Sequence, residues 1–88
     1  MEEYQLYERK AQILKVLAHP IRLCIVKGLI KEKCNVSCMQ RCLKSSQSNI
    51  SQHLAKLKSA GIVKTEKRGL EVFYYIDDDE IKKLVKMI

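Results

Sequence analysis

The hydrophobic period of this chain changes at Gly61, and that change restricts the fold more than any other feature. Before it, apolar residues recur at helical spacing through four consecutive segments. After it come two short runs rich in β-branched and aromatic residues, Ile62–Lys67 and Glu71–Ile76, on either side of Arg68-Gly69-Leu70. A short glycine-containing loop between two such runs predicts a β-hairpin. The helical period then returns after Asp77. The expected fold is mainly α with one small hairpin: about five helices and a two-stranded wing.

Local signals divide the helical part. Residues Glu2 to Ala18 carry Tyr4, Tyr7, Ala11, Leu14 and Ala18 at helical spacing, with Leu6, Ile13 and Leu17 beside them. His19-Pro20 ends that helix and opens a second, since proline suits the first helical position. The second runs to Lys31 and is expected to bury Ile21, Leu23, Ile25, Val26, Leu29 and Ile30. A third helix follows Asn35, a good N-cap, and reaches Leu43. Lys44-Ser45-Ser46 makes a polar turn, and a fourth helix from Gln47 to Gly61 buries Ile50, Leu54 and Leu57. Asp77 to Asp79 cap a last helix with Ile81, Leu84, Val85 and Ile88 on one face.

At 88 residues this is one domain, residues 1–88, with no room for a second. No apolar run approaches the about 20 residues that span a membrane. The acidic start, Met1-Glu2-Glu3-Tyr4-Gln5, is unlike a signal peptide, so a cytoplasmic chain is expected. In that setting the four cysteines are read as reduced thiols rather than a disulfide scaffold. Charge is more informative. The net charge is +7, and Lys44 to Leu70 holds six basic residues and one acid, a local +5. Such a basic block suits a polyanion, with a solvated surface as the alternative.

The third and fourth helices with their short turn form a helix-turn-helix candidate. The outward face of the fourth is expected to present Ser48, Asn49, Ser51, Gln52 and Lys56, and the helix holds no Asp or Glu. Hydroxyl and amide groups read base edges in the major groove, and acids there would repel phosphate. Lys67-Arg68-Gly69 would supply a basic wing against the DNA backbone or minor groove. An enzyme is disfavoured: no Ser-His-Asp set, His-Glu arrangement or phosphate loop occurs. A small thiol redox or zinc-binding protein without a DNA-reading role is the alternative, although no C-x-x-C is present.

Several stretches together resemble the ArsR/SmtB family: Leu17-Ala18-His19-Pro20-Ile21-Arg22-Leu23, Ser46 to Leu57 (SQSNISQHLAKL), Ala60-Gly61-Ile62-Val63 and Val72-Phe73-Tyr74-Tyr75. The resemblance spans Ile13 to Ile76 and implies a winged helix-turn-helix repressor of bacterial or archaeal type. It implies a homodimer on double-stranded operator DNA with two-fold character, an inverted repeat, and release by a metal ion or another small inducer. On the family pattern Gln47, Ser48, Ser51 and Gln52 are recognition-helix contacts. The chain is also expected to pair through its terminal helices, residues 1–18 and 78–88, because so short a domain leaves them little else to pack on.

Cys34, Cys38 and Cys42 are spaced by four, the last two on one face of the third helix. A helix N-terminus depresses a thiol pKa and favours thiolate chemistry. Three thiolates suit As(III), Sb(III) or Cd(II), and with a fourth ligand Zn(II). Cys24 shares a helix face with Lys27 and Lys31. The bland reading is that all four are small hydrophobes. Where arsenic- and cadmium-responsive members of the family carry Cys-Val-Cys, this chain reads Asn35-Val36-Ser37, with cysteines on either side. It has no histidine after His53, where zinc and nickel sensors place ligands. Other members sense persulfides or oxidants through a thiol pair. The expectation is a repressor released by a soft metal or metalloid ion, a persulfide or an oxidant acting on these cysteines. His19 is expected to be structural, and His53 either to donate to a phosphate or to pack at the helix margin.

Overall fold

Side-chain caps start four of the helices. In a computed structural model describing residues 2–88, the order is α1 (Glu2–Leu17), α2 (Pro20–Lys31), α3 (Val36–Leu43), α4 (Gln47–Ser59), β1 (Lys64–Arg68), β2 (Glu71–Tyr75) and α5 (Asp79–Lys86). His19 Nδ1 accepts from the Ile21 amide at 3.1 Å ahead of α2, the structural role expected of it. The Asn35 side chain accepts from Cys38 N at 3.0 Å, Ser46 Oγ from Asn49 N at 3.0 Å, and Asp78 from Glu80 N and Ile81 N at 2.9 and 3.1 Å. Each satisfies an amide that a helix start leaves without a partner, worth about 1 kcal/mol.

The end of α4 sets up everything after it. Gly61, at φ +76°, donates to Lys58 O, and Ile62 N donates to Leu57 O, both at 3.0 Å. That paired closure needs a left-handed residue, which glycine supplies without a Cβ penalty. It also consumes the Ile62 amide. The first strand therefore begins at Lys64 rather than Ile62, and Ile62 and Val63 enter the core instead.

The strands pair antiparallel from Lys64↔Tyr75 to Arg68↔Glu71. The hairpin loop is thus two residues, Gly69-Leu70, and Arg68 belongs to the strand, not to a three-residue loop as expected. Gly69 has φ +63° and Leu70 is not in the left-handed region, the pattern of a type II′ turn. Cys34 adds a one-residue bridge on the other edge of β2: its N–H donates to Tyr74 O at 3.2 Å, and Tyr74 N donates to Cys34 O at 2.8 Å. The sequence reading did not anticipate this tie between the α2–α3 loop and the wing.

The core gathers on α2, which packs against α1, α4, α5 and β2. Val26, Ile50, Leu54, Leu57, Ile62, Val63 and Val85 are fully buried, and among the described residues none that is buried is polar or charged. The two terminal helices use their apolar faces differently, and the expectation for the last one needs correction. On α1 the side that packs inward is Ile13, Val16 and Leu17, while the stripe Tyr4-Tyr7-Ala11-Leu14-Ala18 faces out. Tyr4, Tyr7 and Leu14 remain 63, 62 and 52% exposed. On α5, Ile81 and Val85 close the protomer's own core instead of waiting for a partner, and Ile88 lies beyond the helix end at Lys86. Of the apolar residues on that helix Leu84 stays half-buried, lining with Leu14 a cleft of about 290 Å³ between α1 and α5.

Candidate nucleic-acid interface

Helices α3 and α4 are joined by a turn that its own side chains fasten. Lys44 takes a left-handed conformation, φ 51°, and its amide donates to Gln40 O at 2.9 Å. Ser45 Oγ accepts from Asn49 Nδ2 at 2.8 Å. Asn49, expected on the outward face, is therefore half-buried, with its amide nitrogen committed to the turn. The remaining expected contacts on this helix, Gln47, Ser48, Ser51, Gln52 and Lys56, are all exposed. Ser48, Gln52, Lys56 and Ser59 form one continuous face opposite Ile50, Leu54 and Leu57. With no carboxylate on α4, that face offers hydroxyl, amide and ammonium groups only, which is what base edges and phosphates require.

The wing departs from expectation in one respect. The Arg68 guanidinium is paired with Glu66, Nη2 at 2.8 Å and Nε at 2.9 Å, and lies 5.0 Å from the centroid of Phe73. Lys33 reaches the same carboxylate at 3.3 Å. The Lys33 hydrogen bond, followed by the charges of Arg68 and Lys33, holds the Glu66 carboxyl below its usual range. Arg68 is thus partly neutralised. Lys67, on the other face of the strand, makes no ion pair among the described residues and is the wing's available cation.

His53 packs at the helix margin, half-buried, its ring centroid 4.5 Å from that of His19. Burial, then the charges of His19, Arg22 and Lys56, push its pKa below the ordinary 6.5. A base held neutral in the fold takes up its proton more readily when unfolded. Stability should therefore rise with pH through the window just below 6.5 and fall as acid is added. Thermal unfolding at pH 5.5 and 7.5 checks this, and His53→Gln should flatten the difference.

All four cysteines are reduced and line one apolar cleft of about 310 Å³ between α2 and α3. Cys24 comes from α2, exposed and not under α1, and faces Cys34, Cys38 and Cys42 across it. The Cys34 thiol donates to Asn35 O at 3.4 Å. Burial, then hydrogen bonding with the Cys38 side chain and the charges of Cys38, Cys42 and Glu32, push its pKa up to about 12. Cys34 therefore stays protonated at neutral pH. Among the described residues no three Cys, His, Asp or Glu side chains converge as a metal site requires. The cleft does not fit a preformed trithiolate centre for As(III), Sb(III), Cd(II) or Zn(II).

Two cations outside the expected contacts, Lys15 and Arg22, lie beside Lys56 where α1, α2 and α4 meet. Nothing in sequence separates them from ordinary solvated charges, because their grouping is tertiary.

A helix-turn-helix followed by a two-stranded wing, with an acid-free outer helix, defines the winged helix-turn-helix class of DNA-binding proteins. Residues 19–65 match the family model described as bacterial regulatory protein, arsR family. The chain is 39% identical over 87 residues to the transcriptional repressor PagR of Bacillus anthracis, covering 98% of this chain and 87% of PagR. Its fold matches the solved structure of reduced HlyU from Vibrio cholerae at a TM-score of 0.90, with 32% identity, covering 98% of this chain and 90% of that one. It also matches a homodimeric winged helix-turn-helix DNA-binding domain from Mycobacterium bovis at a TM-score of 0.87, with 25% identity, over 97% of this chain and 79% of that one. The chain belongs to the arsR family of regulatory proteins. It is a DNA-binding transcription regulator rather than an enzyme, and among the described residues no helix is long and apolar enough to cross a membrane.

Proposed function

We propose that this regulator is a repressor that binds an inverted-repeat operator in duplex DNA as a homodimer and is released when a thiol-reactive inducer engages the α2–α3 cleft. The observation that carries the DNA reading is the exposed, acid-free face of α4. Ser48 and Gln52 read base edges there, Gln47, Ser51 and Lys56 flank them, and Lys67 reaches the backbone from the wing. Asn49 holds the turn, and Arg68 acts through its pair with Glu66. PagR is named a repressor, and the mycobacterial neighbour is described as homodimeric. Here the exposed α1 stripe, continued by Leu84 of α5, is the surface for a second copy. Two such copies address half-sites about one helical turn apart. Selection from random duplexes tests this: an enriched inverted repeat with that spacing is expected. Equal binding to every sequence would refute it.

For the inducer, the support is the meeting of four thiols at the brace of the recognition helix. Cys34 and Cys38 flank the Asn35 cap and line the same cleft, and they are the pair taken here to join. A peroxide would oxidise them to a disulfide, losing two S–H bonds, forming one S–S bond and leaving two waters. A persulfide would do the same, leaving a thiol and hydrogen sulfide. Since Cys34 stays protonated, one of the other thiols attacks first and Cys34 resolves the intermediate. Cys34 is bonded to the wing through Tyr74, and Asn35 caps α3 at Cys38, so a new bond there shifts both DNA-contacting parts. Serine at Cys34, Cys38 and Cys42 together should leave operator binding intact and abolish release by hydrogen peroxide or a persulfide. Release that persists in the triple variant would move the sensing role to Cys24 or away from thiols. The same assay with arsenite and cadmium decides whether a soft ion can gather thiols that do not converge beforehand.

A further inference from the structure

We propose that the cleft where α1, the start of α2 and the second half of α4 meet is a phosphate-binding site. It measures about 430 Å³, and Gln12, Lys15, Arg22, Lys56 and Ser59 line it, with no carboxylate among the lining residues. Lys10, Lys33, Lys64 and Arg68 each pair with an acid, whereas Lys15, Arg22 and Lys56 make no ion pair among the described residues.

A second, independent observation marks the same place. Arg22 Nε is buried without a hydrogen-bond partner. Leaving a buried donor unsatisfied is costly, more so for a charged group, so natural structures seldom do so without reason. A bound acceptor would remove that deficit. His53 stands close by: burial, then the charges of His19, Arg22 and Lys56, lower its pKa.

The donor set selects the ligand class. A guanidinium presents a planar fork that matches a tetrahedral oxyanion, the two lysines add point charges, and Gln12 and Ser59 can donate to remaining oxygens. Phosphate esters carry that charge and those acceptors. Lys56 and Ser59 also continue the face begun by Ser48 and Gln52, so a duplex lying along α4 brings a backbone phosphate to the cleft. That source rests on the DNA reading above. A free phosphorylated small molecule is the other source of the same chemistry.

Two measurements on the full chain separate the sources. Inorganic phosphate and pyrophosphate are titrated at constant ionic strength while the Arg22 Nε–H and His53 ring signals are followed by NMR. Saturable shifts are expected, weakened at least tenfold in Lys15→Gln, an exposed position whose replacement leaves the fold intact, and in Arg22→Lys, which keeps the charge and loses the fork. Lys27→Gln, remote from the cleft, should bind as wild type. The salt dependence of binding to random duplex DNA is then compared for wild type and Lys15→Gln. A slope smaller by about one assigns the site to a backbone phosphate. Saturable phosphate binding with an unchanged slope assigns it to a free phosphorylated ligand. No saturable shift together with an unchanged slope overturns the site. The phosphate titration needs no DNA, so a chain that failed to bind DNA would lose the functional reading and still leave this one to be decided.

Discussion

Glutamate at Leu14 should yield a folded monomer whose operator affinity is lower by about 10²- to 10⁴-fold, the usual loss when two linked binding events become one. Leu14 is 52% exposed in the protomer, so the substitution removes little of the protomer's own packing. It does place a charge in the middle of the stripe made by Tyr4, Tyr7, Ala11 and Ala18, against Leu84 across the α1–α5 cleft. A carboxylate buried in a symmetric interface is introduced twice, once per copy, and the nearby Lys10 is already engaged by Glu80. Sedimentation at micromolar concentration reads the oligomer, and fluorescence anisotropy with labelled operator reads the binding. A variant that stayed dimeric at wild-type affinity would remove the terminal helices from the interface. A wild type that sedimented as a monomer would remove the dimer itself.

Alanine at Gln52 should cost about 1–3 kcal/mol at the operator, roughly 5- to 150-fold, while leaving binding to random duplex nearly unchanged. The side chain is exposed and touches no part of the core, so thermal stability should move by no more than about 0.5 kcal/mol. The loss should therefore fall on specificity, concentrated at the base pair that Gln52 reads. Ser48→Ala should act in the same direction and more weakly, because a hydroxyl makes one bond where an amide can make two. Wild-type operator affinity in Gln52→Ala would mean that another face of α4 enters the groove.

Much of this architecture was legible from the chain because its signals are local. His19-Pro20, Asn35, Ser46 and Asp78 each act within three residues, and each cap is where the sequence places it. Gly61 marks the end of α4 for the same reason. What was not legible depends mostly on how the elements dock and on which of several near-equivalent side chains turns inward. α1 carries two apolar faces, and only the docking of α2 and α4 decides which is covered. Asn49 and Ser48 are adjacent and chemically alike, yet one clasps Ser45 and the other meets solvent. Glu66 stands two residues from Arg68 on the same side of the strand, but the Lys33 that shares its carboxylate comes from 33 residues earlier. The spacing of Cys34, Cys38 and Cys42 suggested a cluster, but only the packing of α2 on α3 brings Cys24 to it. The Arg22 cleft needs three helices to exist at all.

The bridge between Cys34 and Tyr74 sets the order in which the molecule can assemble. A two-stranded hairpin of five-residue strands is at best marginal in water, so the wing cannot form first and wait. Its extra rung comes from a loop fixed only once α2 and α3 are in place, forty residues earlier in the chain. The wing should therefore be the last part to fold and the first to open, and the Cys34 and Tyr74 amides should exchange with solvent together and ahead of those in α2 and α4.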